Sequence, residues 1–334
     1  MRPPLVLGCL FLLGSLSLEA QPLLQSGDRV AIVGNTLIER ARLYGHLESA
    51  LQLAPGPEVT GLVFRNLGWS ADSVFGDSRS YFGPPEEGRE RLGRNLAEIK
   101  PQVVFLCYGT GEAMSVDQGW TEERSASDQS ASGLEQSLAL FQEAYQSLIE
   151  HVRNSSGDGL RELILVSPPP LENRDEFLPD QTQNNRNLAA FRDAIRDLAE
   201  KNDARFIDLF GALGGDDFDG EIAKVPLTNN GIHFTETGYQ IVAREWIKEL
   251  GYDESILANR DPAAFDEFRS AIVEKNRLFF HRWRPANETY LFLFRKHEQG
   301  QNAKEIPMFD PLIKEQEDRI ATSRSRVLSG NTKN

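Results

Sequence analysis

Cysteine is almost absent from this sequence: two residues, Cys9 and Cys107, in 334. Cys9 lies in an N-terminal segment that reads as a removable signal. The processed chain would keep Cys107 alone, which excludes an intrachain disulfide and a cysteine-built zinc site. Histidine is scarce as well, with five residues (His46, His151, His233, His281 and His297) and no HxxxH or HExxH spacing. No metal centre is expected from such a set, and no glycine-rich phosphate loop is present, so no cofactor is expected either. Positive charge is in deficit, 36 Lys and Arg against 50 Asp and Glu, for a net charge of -14. Neutralising phosphates takes an excess of cations, so nucleic acid is not an expected partner. The one long apolar run, Leu5 to Leu16, is short for a membrane span, and nothing later resembles one.

What is present points to an exported globular protein. Arg2, the apolar run and the small Ala20 before Gln21 form an export signal over residues 1–20. That places the mature chain in the periplasm or outside the cell. Hydrophobic residues make up 40% of the chain, enough for a substantial core. Five short runs rich in Val, Ile, Leu and Phe, at 29–34, 59–68, 102–109, 162–170 and 204–211, are bounded by Gly or Pro and read as strands. Between them, 37–53, 86–100, 134–153 and 184–202 carry apolar residues at helical spacing, and a last helix is expected over 236–250, stopped by Gly251. Strands alternating with helices imply a parallel sheet covered on both faces, a three-layer α/β/α sandwich over residues 27–250.

Residues 251–334 do not alternate in this way and read as a mainly helical C-terminal extension. A helix is expected over 261–283, capped by Asp261 with Pro262 in its first turn, and a charged one from Pro311. Residues 288–294 read as a strand or a docking segment. Arg277 to Lys296 hold five cations and one acid, Glu288, interleaved with aromatic rings. Stacking on single-stranded nucleic acid or acidic sugars is one use for such a surface. Packing against the main domain, with the arginines balancing its acidic surface, is the reading the chain's overall charge favours. The polar stretch 117–132 reads as a mobile loop bordering the site.

In a parallel α/β sheet, ligands bind beyond the carboxyl ends of the strands. Three strand ends carry polar side chains there: Gly34-Asn35-Thr36, Gly68-Trp69-Ser70 and Gly109-Thr110-Gly111-Glu112. His233 lies in "NNGIHF", just before the last helix of the sheet domain. With these motifs in this order, and "SPPP" after the fourth strand, the chain resembles the SGNH (GDSL-type) hydrolases over about residues 27–250. The extension resembles those attached to such domains in planctomycete-type bacterial proteins. The resemblance implies a flavodoxin-like fold with a five-stranded parallel sheet and an acyl-enzyme route to ester cleavage. Acetyl and other carbohydrate or small-molecule esters are the implied substrates, with no obligate protein partner. It makes Thr36 the nucleophile, His233 the base, and Gly68, Gly111 and Asn35 the oxyanion and substrate-binding positions. Asn230 stands where the family orients its histidine.

Three departures weaken that implication. Thr36 replaces a serine and adds a methyl that restricts its rotamers. Gly111 replaces an asparagine and offers no side-chain donor, and Asn230 replaces an aspartate and cannot stabilise an imidazolium by charge. Asn35 or Thr110 could supply a donor, and Glu112 or Glu48 could approach the imidazole. Thr36 also reads as the cap of a helix, with Glu39 completing a capping box, and His233 as an ordinary loop histidine. A catalytically silent binding or scaffold protein on the same fold is therefore the alternative to an esterase.

Overall fold

A computed structural model describes residues 22–116, 133–174, 177–217, 225–258 and 260–330. The export signal at 1–20 and the polar stretch 117–132 lie outside the described residues. Five parallel strands, β1 (Arg29–Gly34), β2 (Val63–Gly68), β3 (Val103–Cys107), β4 (Glu162–Val166) and β5 (Arg205–Ile207), form one sheet in the order β2-β1-β3-β4-β5. The strands are continuous apolar runs because each is covered on both faces. In β1, Ala31 and Val33 point into one core layer while Val30 and Ile32 point into the other.

In chain order the helices are α1 (Thr36–Tyr44), α2 (His46–Leu53), α3 (Pro85–Ile99), α4 (Thr110–Met114), α5 (Gly133–Ser156), α6 (Thr182–Lys201), α7 (Leu209–Ala212) and α8 (Glu236–Glu249). The first core layer packs α3, α5 and α6 on the sheet, and the second packs α1, α2 and α8. The single helix expected over 37–53 is two helices. Gly45 takes a left-handed conformation, φ 72°, and its N–H closes on Ala41 O, which ends α1 before α2 begins.

The extension comprises α9 (Pro262–Trp283), α10 (Glu288–Leu291), α11 (Lys296–Gln299) and α12 (Phe309–Gly330). The 288–294 segment is a short helix rather than a strand. Four residues of "ETYL" turn before Phe292, and no sheet edge is paired to them. A third apolar cluster, with Phe265, Phe268 and Ile272 of α9, Ile320 and Val327 of α12, and Leu53, docks the extension against α2. Under it, the ammonium of Lys275 is buried 2.8 Å from the Glu48 carboxylate and donates to Phe64 O and Asn276 Oδ1. Among the described residues, no helix is long and apolar enough to cross a membrane.

Candidate active site

The ends of β1, β2 and β3 and the loop before α8 converge on a cavity of about 280 Å³. Asn35, Thr36, Arg40, Thr110, Gly111 and His233 all line it. Two residues separated by nearly two hundred positions thus face one space. The link is direct: the Tyr239 hydroxyl of α8 donates to Leu37 O at the start of α1, 2.8 Å away.

Thr36 is not the cap of its helix. Asn35 is, with Oδ1 accepting from Leu37 N–H at 3.1 Å, and Thr36 is the first helical residue. The expected Thr36–Glu39 capping box is absent because both side chains are engaged elsewhere. The Thr36 hydroxyl oxygen accepts from the backbone N–H of Ala71 at 3.0 Å. Glu39 accepts from Ser70 N–H and pairs with Arg284 of the extension at 2.8 Å. Thr36 is left with its oxygen in the cavity beside a fixed backbone donor.

That donor was not legible in the sequence. Ala71 adopts φ 61°, a left-handed conformation that alanine rarely takes and that does not mark itself as a glycine would. Gly68, by contrast, does not line the cavity. Its N–H donates to Asn66 Oδ1 at 2.9 Å, and a Cβ there would lie 2.2 Å from Glu39 N. Its role in the structure is the close approach of β2 to α1. Gly111 lines the cavity, and a Cβ at its position would meet nothing within 4 Å.

His233 sits in a tight loop. Asn229 N–H donates to His233 O at 3.0 Å, and Thr235 N–H to Leu227 O at 2.8 Å. Glu172, after the fourth strand, anchors that loop: its buried carboxylate accepts from Leu227 N–H and Thr228 N–H, each at 2.7 Å. Glu172 is not among the candidate residues that the sequence singles out. Asn230 Oδ1 accepts from the N–H groups of Ile232 and His233, at 3.2 and 2.8 Å. Its amide nitrogen must therefore face the ring, where it lies 3.2 Å from His233 Nδ1. An amide nitrogen only donates, so Nδ1 accepts and the neutral ring carries its proton on Nε2. Burial, with Arg40 nearby, lowers the pKa of His233 below its ordinary value and keeps the ring neutral.

Among the described residues, no hydrogen bond joins Thr36 to His233, and no carboxylate bonds the ring. Glu48 is held by Lys275, and Glu112 by the N–H groups of Val74 and Gly109 at 2.9 and 3.1 Å. The acid nearest the site, Asp72, is fully buried and paired with Arg79 at 2.6 Å and the Tyr108 hydroxyl at 2.7 Å. His46 pairs with Glu236, and His151 bonds Arg89 O, both away from this cavity. A larger cavity of about 630 Å³ adjoins the site at Ser115 and is lined by Phe75, Arg89, Glu112 and Phe141. It brings no hydroxyl and imidazole together. Among the described residues, no group of three or more His, Cys, Asp or Glu is placed to hold a metal ion.

This chain belongs to the GDSL-like Lipase/Acylhydrolase family, whose match spans residues 27–241. Among solved structures it is similar to Axe2, an acetylxylan esterase from Geobacillus stearothermophilus, at 17% identity and a TM-score of 0.50, over 70% of this chain and 98% of that one. It is also similar to LAE5, an alpha/beta hydrolase enzyme from the metagenome of Lake Arreo, Spain, at 18% identity and a TM-score of 0.48, over 69% and 97% of the two chains. No curated protein matches the sequence significantly.

Proposed function

We propose that the cavity is the site of a slow acyl-ester hydrolase in which Thr36 attacks and His233 is the base. The observation that carries the reading is the Thr36 hydroxyl, fixed 3.0 Å from the Ala71 N–H in the cavity that His233 also lines. The mechanism runs through the minor tautomer of His233, protonated on Nδ1: Thr36 Oγ1 bonds to the acyl carbon as its proton passes to the free Nε2. The imidazolium returns that proton to the departing alcohol, and water then releases the acid and regenerates Thr36. Ala71 N–H holds the attacking oxygen in place, and Asn35 and Gly111 flank the space where the oxyanion forms. A volume of about 280 Å³ suits a small acyl group. Acetyl esters of carbohydrate, the chemistry named for Axe2, are the first substrates to assay.

Slowness follows from Asn230. A base needs a free lone pair on Nε2, and the Asn230 amide nitrogen favours the tautomer in which that position is protonated. In a serine-protease triad, an aspartate-to-asparagine change costs about 10⁴ in kcat for this reason. The same contact favours a second reading, a protein that binds its ligand without turning it over. Hydrolysis of 4-nitrophenyl acetate and covalent labelling by a fluorophosphonate probe separate the two. An esterase gives both, and each is lost in Thr36→Ala; a silent protein gives neither. We further propose that the chain works outside the cytoplasm. N-terminal sequencing of the mature protein should then begin near Gln21, and a start at Met1 would contradict export.

A further inference from the structure

Arg40, from the second turn of α1, reaches the same cavity as Thr36 and His233. Among the described residues its guanidinium has no carboxylate, carbonyl or aromatic ring as partner, and its Nε is buried without a hydrogen-bond acceptor. An arginine on open surface needs no partner, because water supplies one. Arg40 is half-buried: its Nε has neither water nor an acceptor, while its terminal nitrogens keep water that anionic oxygens can displace. The charge is felt by the groups around it: it depresses His233 and opposes the rise that burial imposes on Tyr239.

The rest of the lining leaves that charge unbalanced. Asp72 is the only acid among the described residues lining the cavity, and Arg79 already neutralises it at 2.6 Å. A chain with a net charge of -14 thus has an unpaired cation at this site. A further donor, the Thr110 hydroxyl at the start of α4, lines the same cavity.

We propose that this cavity recognises a ligand bearing anionic oxygens, a carboxylate or a sulfate, through the planar fork of Arg40. The inference rests on the cavity being the substrate site. It narrows the substrate to an ester carried on an acidic carbohydrate. Planar donors in a fixed fork match carboxylate and sulfate oxygens, whereas a neutral sugar leaves the charge unanswered.

Equilibrium calorimetry on the full chain with D-glucuronate, inorganic sulfate and D-glucose tests this. Wild type should bind at least one of the two anions about tenfold or more tightly than glucose. The tighter anion then names the class, uronate or sulfated sugar. Arg40→Gln should abolish the preference and Arg40→Lys should keep part of it, with circular dichroism showing each variant folded. Thr36→Ala should bind the anion as wild type does. Anion binding that survives in a protein lacking esterase activity thus separates this inference from the hydrolytic one. Equal binding of glucose and the anions, no binding of either anion, or wild-type anion affinity in Arg40→Gln would overturn it.

Discussion

The amide nitrogen of Asn230 lies 3.2 Å from Nδ1 of His233, and its carbonyl oxygen is committed to two backbone N–H groups of the same loop. Rotating the amide to favour the base tautomer would sacrifice both backbone bonds. One side chain thus fixes the loop and the protonation pattern of the imidazole together. The family relationship alone does not convey this, because it depends on which end of an amide faces the ring.

Arg284 links the extension to the site. It pairs with Glu39 at 2.8 Å and lies 3.7 Å over the Trp69 ring, while Glu39 holds Ser70 N–H, next to Ala71. Arg284→Ala should loosen the Ala71 donor, lowering kcat severalfold with little change in KM and costing about 1–2 kcal/mol of stability. Steady-state kinetics with a urea melt checks this. Unchanged kcat in a destabilised variant would make the contact purely structural.

The buried Lys275–Glu48 pair should behave asymmetrically. Burial holds the ammonium below its ordinary pKa even with Glu48 beside it. Lys275→Met strands the carboxylate and should cost about 3–5 kcal/mol. Adding Glu48→Gln should recover at least half of that, because the stranded charge is gone. Additive losses in the double variant, read from urea midpoints at pH 7, would show that no coupling exists.

Glu112 gives a pH signature. Burial pushes its carboxyl up to about 7, against the backbone N–H groups of Val74, Glu112 and Gly109, which favour the charged form. The native chain therefore binds this proton more tightly than the unfolded chain, whose glutamate titrates near 4.5. Its contribution to stability is complete below about pH 4.5 and is lost as pH rises to 7, on the order of 3 kcal/mol in all. The stability of wild type relative to Glu112→Gln should fall by that order between pH 4.5 and 8. A constant difference would mean the group titrates normally.

Much of the frame was legible because it follows from periodicity. Apolar runs such as "RVAIVG" and "VVFLC" specify doubly covered strands, and a parallel sheet places Thr36 and His233 on one rim. The finer chemistry was not legible, for particular reasons. Ala71 serves as the backbone donor from a left-handed conformation that its identity conceals. Gly68 was expected at the oxyanion, but its position is set by the approach of β2 to α1. The Glu39 side chain looked like part of a cap because its real partner, Arg284, lies 245 positions away in the sequence. Glu112 and Glu48 were candidates to orient the imidazole, yet tertiary contacts commit both elsewhere.

The central claim is that Thr36 and His233 form a working pair restrained by Asn230, and turnover of an acetyl ester by Asn230→Asp tests it most directly. A carboxylate at that position keeps both backbone bonds and favours a proton on Nδ1, freeing Nε2 to act as base. The expected result is a rise in kcat of about 10²-fold or more, up to the 10⁴ of the protease case, abolished when Thr36→Ala is added. A rate unchanged by Asn230→Asp, or raised but indifferent to Thr36→Ala, would contradict the account.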